Sequence, residues 1–168
     1  MSSSHAVLLV GHGAPPRDFP RDLVARLKAL EGRRMATGGE WTDEERELDT
    51  KIRSWPRTAE NDPYREGLLA LADALRAKLD GAPLFVAYNE FCGPSIEDAV
   101  AEAIRAGATS ITVVPSMLTP GGVHSEVEIP AILGELRAEH PAVMIRYAWP
   151  FDLQRVAGML AEQVRRAV

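Results

Sequence analysis

Two short apolar runs, Ala6–Val10 (AVLLV) and Ile111–Val114 (ITVV), each lead into a glycine-bearing loop that carries a histidine. Runs of this length, aliphatic and β-branched without alternation, form strands buried on both faces, the situation of strands in a parallel sheet. After the first run comes Gly11-His12-Gly13. After the second, Pro115 and Pro120-Gly121-Gly122 stop the strand, and His124 stands at the far end of the loop. Ser125 followed by Glu128 reads as a capping box, so His124 is expected between a buried strand's carboxyl end and a helix amino end. In open α/β sheets that edge is where ligands bind.

The rest of the chain extends this pattern. Asp62-Pro63 opens a helix with Leu68, Leu71, Leu75 and Leu79 on one face. Pro83–Tyr88 (PLFVAY) is a strand with Glu90 just beyond its end, and Gly93-Pro94-Ser95 starts a helix buried through Ile96, Val100 and Ile104. A helix near Ser125 contains Pro130, which kinks it or delays its start. Val143–Tyr147 is a fourth strand, and Asp152 caps a last helix with Leu153, Val156, Leu160 and Val164 in register. Strand and helix alternate four times, which predicts an α/β fold: a three-layer sandwich with a four-stranded parallel sheet and helices on both faces.

Residues 14–61 interrupt the alternation as a helical insertion after the first strand. Leu23, Leu27 and Leu30 form one helical stripe, and Thr42 with Glu45 opens a second helix carrying Leu48 and Ile52. Residues 14–38 hold six Lys/Arg against three Asp/Glu, and residues 39–61 hold four against seven. Either the insertion is two helices with solvated faces, or it is a lid over the His12 end of the sheet.

The whole of residues 1–168 is read as one domain with a sizeable core, 46% hydrophobic and 26% charged. A net charge of −5 argues against nucleic acid and membrane surfaces as partners. Cys92 is the single cysteine, consistent with a reducing compartment, and no amino-terminal run is long enough for a signal core or a span. A cytoplasmic location is expected.

His12, Glu90 and His124 follow the first three strands and therefore share one sheet edge. Two imidazoles and a carboxylate suit a borderline divalent ion, Co²⁺, Fe²⁺, Ni²⁺ or Zn²⁺, with coordination positions left open. Each alone also has a plain structural reading, as a loop histidine bonded to backbone or a solvated carboxylate. Cys92 lies near enough to be a ligand, although free cysteines are more often small buried hydrophobes. No Gly-rich phosphate loop appears, which tells against a nucleotide binder.

With these pieces in order, VLLVGHG, NEFCGPSIEDAVAEAIRAGA and ITVVPSMLTPGGVHSEVEIPAILGEL, the chain resembles the class II tetrapyrrole chelatases, the CbiX/SirB group of sirohydrochlorin cobalto- and ferrochelatases. The resemblance covers residues 6–13 and 62–168. It implies a chelatase-like fold and ATP-independent insertion of a divalent ion into a sirohydrochlorin-like tetrapyrrole, as in cobalamin or siroheme biosynthesis. The ion is a substrate, Co²⁺ first, with Fe²⁺ and Ni²⁺ as the others, and no nucleotide is needed. By the same resemblance His12 and His124 are the catalytic pair, and together with Glu90 they are the metal ligands. Small members of the group form homodimers. Two departures stand out: residues 14–61 intervene after the first strand, and Cys92 replaces a more usual alanine. A non-catalytic metal or tetrapyrrole carrier on the same fold is the alternative.

A tetrapyrrole with many carboxylates needs donors. Ser116, Gly121 and Gly122 lie in the loop after the third strand, where free N–H groups and the helix amino end suit carboxylates. Outside the insertion the chain holds nine Lys/Arg against fourteen Asp/Glu, so the cations of the insertion's first half, Arg17 or Arg33-Arg34, are expected to meet substrate. The competing expectation is that they pair with the acidic stretch Asp43-Glu44-Glu45-Glu47.

Overall fold

The computed structural model describes residues 4–167. β1 (His5–Gly11) is the central strand, with β2 (Leu84–Tyr88) on one side and β3 (Ser110–Pro115) on the other. β4 (Met144–Tyr147) completes a wholly parallel sheet ordered β2-β1-β3-β4. β3 runs through Pro115 rather than stopping before it; Pro115 is in register with Val10, and Ser116 N–H continues the ladder to Val10 O at 2.8 Å.

Alternate residues of β1 serve opposite layers. Ala6, Leu8 and Val10 pack with α4 (Ile96–Arg105) and α5 (Ile129–Glu139) in the larger core, which also takes Ile111, Val113 and Ile145. Leu9 faces the other way, against Leu68 and Ala72 of α3 (Pro63–Arg76). The stripe on α3 therefore runs through Leu68, Ala72 and Leu75, while Leu71 is exposed and Leu79 lies past the helix end. α6 (Leu153–Arg166) is capped by Asp152 but has no buried residue, and Leu153, Leu160 and Val164 are all more than half exposed. No described helix is long and apolar enough to cross a membrane.

Ser125 and Glu128 do not form a capping box. The chain instead enters a π-helical turn, His124–Glu128, that runs directly into α5 with no side-chain cap. The wider turn fits Pro130, which has no N–H to donate to a regular helical ladder. The capping box that is present lies at α4, between Ser95 and Asp98.

The insertion forms α1 (Arg21–Thr37) and α2 (Asp43–Arg53), with Thr42 capping α2 through Glu45 N–H. It has a small core of its own, in which Leu27, Ile52 and Phe19 surround Phe91 from the loop after β2. Arginines fasten this unit to the sheet edge. Arg57 donates Nη1 to Ala14 O at 2.9 Å and to Asp62 Oδ2 at 2.6 Å, and Nη2 to Ile52 O at 2.9 Å and to Phe91 O. Arg53 donates to Cys92 O at 3.0 Å and to Asn89 O at 2.9 Å. The Arg57 and Asp62 side chains are 8% and 1% exposed, so removing one partner strands a buried charge. Arg57→Ala is expected to lower unfolding free energy by about 3 kcal/mol or more in a denaturant titration; a loss below about 1 kcal/mol would show that the insertion is held by its apolar core alone.

Candidate metal centre

Sheet order reverses about β1, so the crevice beyond the carboxyl ends of β1 and β3 is the switch point at which open α/β sheets take ligands. His12 comes from β1, His124 from the loop after β3, and Glu90 from the loop after β2 on the flanking side. The β1–β2 ladder continues into these loops through Asn89 N–H to Gly11 O (2.9 Å) and Glu90 N–H to His12 O (2.8 Å). Gly13 sits at φ +93°, and a Cβ there would lie 1.8 Å from Glu90 O. Its glycine is required by the approach of the two loops to each other, not by approach to a ligand. The His12 N–H is held by Tyr64 Oη at 2.7 Å.

The imidazoles are oriented by their inner nitrogens. His12 Nδ1 lies 2.7 Å from Gly13 O and His124 Nδ1 2.7 Å from Glu128 Oε2. A carbonyl and a carboxylate only accept, so the tautomer with Nδ1–H satisfies both and leaves each Nε2 a lone pair; Asn89 Nδ2, 3.1 Å from His124 Nδ1, donates instead to Glu128. The two Nε2 atoms are 3.0 Å apart with the rings at 86°. Lone pairs at that separation repel unless a proton or metal ion lies between them. At a metal–nitrogen bond of about 2.0–2.1 Å, this spacing corresponds to a coordination angle of roughly 95°, suited to adjacent ligand positions.

One ligand atom from each of His12, Glu90 and His124 lies within 4.8 Å of the others. Glu90 Oε1 is 3.6 Å from His124 Nδ1, and Glu90 Oε2 is 3.4 Å from Lys28 Nζ of α1. Cys92 is not part of this group: its thiol faces Gly93 O at 3.4 Å, and burial pushes its pKa up, against the thiolate form a metal takes.

Glu128, read from sequence as a capping residue, is the partner of His124. Asn89 Nδ2 also donates to Glu128 Oε2, at 2.7 Å. Burial raises the Glu128 carboxyl, but the hydrogen bonds from His124 and Asn89 outweigh it and leave its pKa below the ordinary range. The signal in the sequence was the i, i+4 spacing of His124 and Glu128, which puts both on one helical face.

The expected substrate-binding residues are more scattered. Gly121 N–H is taken by Glu126 Oε1 at 2.7 Å, and Gly122 O accepts from Glu126 N–H at 3.1 Å. Ser116 has its hydroxyl 3.9 Å from Met117 Sδ. Arg34 is bound to Glu45 at 2.8 Å and lies over Trp41, and Arg33 is exposed and near Glu44, so this pair faces the acidic half of the insertion. Arg17 lines an open cavity of about 640 Å³ with Pro15, Pro16, Arg21 and Lys28, beside the His12 loop.

The CbiX family model matches residues 57–167. The chain is similar to a sirohydrochlorin cobaltochelatase of Priestia megaterium, 32% identical over 70 residues covering 42% of this chain and 22% of that one. It is also similar to a sirohydrochlorin ferrochelatase of the same organism, 28% identical over 97 residues covering 57% of this chain and 36% of that one. The chain thus spans about a fifth to a third of the length of these curated relatives. A solved structure from Marinobacter aquaeolei VT8, named as a CbiX protein, superposes with TM-score 0.55 at 22% identity, covering 96% of this chain and 98% of that one, and agrees in fold. With the family model running from just before α3 to the end of α6, across three of the four strands, the chain belongs to the CbiX family.

Proposed function

We propose that this protein inserts a divalent metal ion as a substrate, Co²⁺ or Fe²⁺ with Ni²⁺ as a third candidate, into a sirohydrochlorin-like tetrapyrrole in the cytoplasm. The observation that carries the reading is the pair of Nε2 atoms 3.0 Å apart, each ring oriented by a contact at its Nδ1. Membership of the CbiX family and the names of the relatives, one a cobalto- and one a ferrochelatase, support the reaction class. His12, His124 and Glu90 hold the ion, with Glu90 offsetting its charge. Insertion expels two pyrrole protons, and each of the two imidazoles, on releasing the metal, has a lone pair ready to accept one of them near neutral pH. Glu128 steadies the imidazolium that results, as a carboxylate on the far nitrogen does. Arg17, whose Nη1 also reaches Glu60 O at 3.4 Å, and Arg21 line the open cavity at the His12 loop, which supports their meeting macrocycle carboxylates.

A matrix of Co²⁺, Fe²⁺ and Ni²⁺ against sirohydrochlorin and related macrocycles, read by absorbance, tests the activity and identifies the metal. His12→Ala and His124→Ala are each expected to lower turnover by about two orders of magnitude while leaving the thermal melt in place. Near-wild-type insertion by either variant would remove the pair from the mechanism, and binding without turnover by the wild type would make the protein a carrier.

Glu128→Gln keeps the shape but loses the charge facing His124. A loss of about ten- to a hundredfold in metal affinity or rate is expected, with the pH profile of kcat displaced because the imidazolium is less favoured. A changed melting temperature with an unchanged pH profile would leave Glu128 as a structural residue only.

The family resemblance to small dimeric members is supported by α6, whose Leu153, Leu160 and Val164 are uncovered. A second copy of this chain is expected to cover them. Sedimentation should show a dimer that Leu160→Glu dissociates; a wild-type monomer at high concentration would overturn this assembly.

A further inference from the structure

Glu90, the carboxylate offered to the metal ion, already has a cation on it. Lys28 of α1 sets its Nζ 3.4 Å from Glu90 Oε2 and 4.8 Å from the centre of the Phe91 ring, the next residue of the same loop. The Lys28 side chain is half exposed while that of Glu90 is 11% exposed, and Lys28 also lines the cavity of Pro15, Pro16, Arg17 and Arg21 beside the His12 loop. We propose that Lys28 is a positioning residue that reserves Glu90 in the metal-free protein, yields it to the incoming ion, and then turns its ammonium to a carboxylate of the macrocycle. The last step rests on the chelatase reading; the competition for Glu90 needs only that Glu90 bind metal.

A carboxylate with little access to water is costly to leave without a counter-charge. Lys28 supplies one, but weakly. A separation of 3.4 Å is long for a charge-assisted bond, and an ammonium on a flexible, half-exposed stem is easily parted from its partner. A divalent ion bonded to the same carboxylate at about 2.0–2.2 Å attracts it, as charge over distance, roughly three times as strongly as a single charge at 3.4 Å. The ion therefore displaces the ammonium. Until then the Phe91 ring, fixed in the apolar core of the insertion, keeps Lys28 beside Glu90 by attracting the cation to its face. Glu31, three residues further along α1, is the other acid near the freed ammonium. Burial, and next the charge of Glu90, hold its carboxyl above the ordinary pKa, which makes it the weaker competitor. The charged side chains lining the cavity are Arg17, Arg21 and Lys28, so a polycarboxylate there gains a third positive charge once Lys28 leaves Glu90. Metal arrival thus strengthens the hold on the macrocycle, and by linkage the macrocycle strengthens the hold on the metal. Lys28 lies in the insertion, ahead of residues 57–167 matched by the family model.

Co²⁺ binding without macrocycle is titrated by absorbance in metal-free wild type, Lys28→Met, Lys28→Arg, Glu90→Gln and Lys28→Met/Glu90→Gln. Lys28→Met removes the competing charge at similar length and is expected to tighten Co²⁺ binding by about threefold or more, with Lys28→Arg close to wild type. In the Glu90→Gln background the same change is expected to lose most of that gain, because the carboxylate competed for is gone. Unchanged or weaker binding in Lys28→Met overturns the competition, and so does a gain that persists in full without the Glu90 carboxylate, which would be a general effect of charge. In turnover, Lys28→Met is expected to raise KM for sirohydrochlorin by about threefold or more and to raise it more than it lowers kcat, with the difference shrinking as salt is added and Lys28→Arg restoring it. A KM equal to that of the wild type overturns the transfer to the macrocycle. If the wild type inserts no metal, the chelatase reading falls and that last step falls with it, while the Co²⁺ titrations alone still decide the competition for Glu90.

Discussion

The geometry of the candidate metal centre depends on how the short loop after β2 is held. Arg53 and Arg57 grip the carbonyls of Asn89, Phe91 and Cys92, and Phe91 takes the left-handed backbone region at φ 59°. A bulky residue there costs on the order of 1–3 kcal/mol and persists only where its surroundings fix it. Here the surroundings do so: Phe91 is sunk in the apolar core of the insertion, and two guanidinium groups bind the backbone on either side. The reward is local to the site, since the same loop carries Glu90 and Asn89. An insertion after β1 thus acts as the mould for one of the loops of the candidate site.

The second constraint is electrostatic. Two imidazoles face each other through Nε2, and three carboxylates gather beside them, with Lys28 on Glu90 and with His124 and Asn89 on Glu128. Glu128 is stabilised as an anion by His124 and Asn89, while Glu31 is pushed the other way by burial and by its acidic neighbours.

Much of the sheet was legible in the sequence because buried parallel strands announce themselves as unbroken apolar runs, and PLFVAY and ITVV could hardly be anything else. The common edge of His12, Glu90 and His124 followed from the alternation, since every strand of a parallel sheet ends on the same side. Ser125 and Glu128 were a different matter. Their spacing fits a capping box, but the π-helical turn places Glu128 beneath His124 instead, a choice governed by the proline that follows and by Asn89 from another loop. The leucines of α6 read as a core stripe, yet the periodicity of a helix says nothing about what covers it.

By itself, then, the sequence determined the layers, the strand ends and the three residue types brought to one edge, because those follow from local hydrophobic period and chain direction. It also contained both outcomes for the insertion's arginines, substrate contact or pairing with the acidic half. Only the tertiary structure decided between them for Arg26 and Arg34, which bind Glu44 and Glu45. It alone brought Glu31 to Glu90 and Glu128 across residues 31–128, and Arg57 to four carbonyl and carboxylate groups at once. Such meetings depend on the packing of segments distant in the chain, and charge pairs at the surface of a helix have several partners of nearly equal energy until that packing selects one.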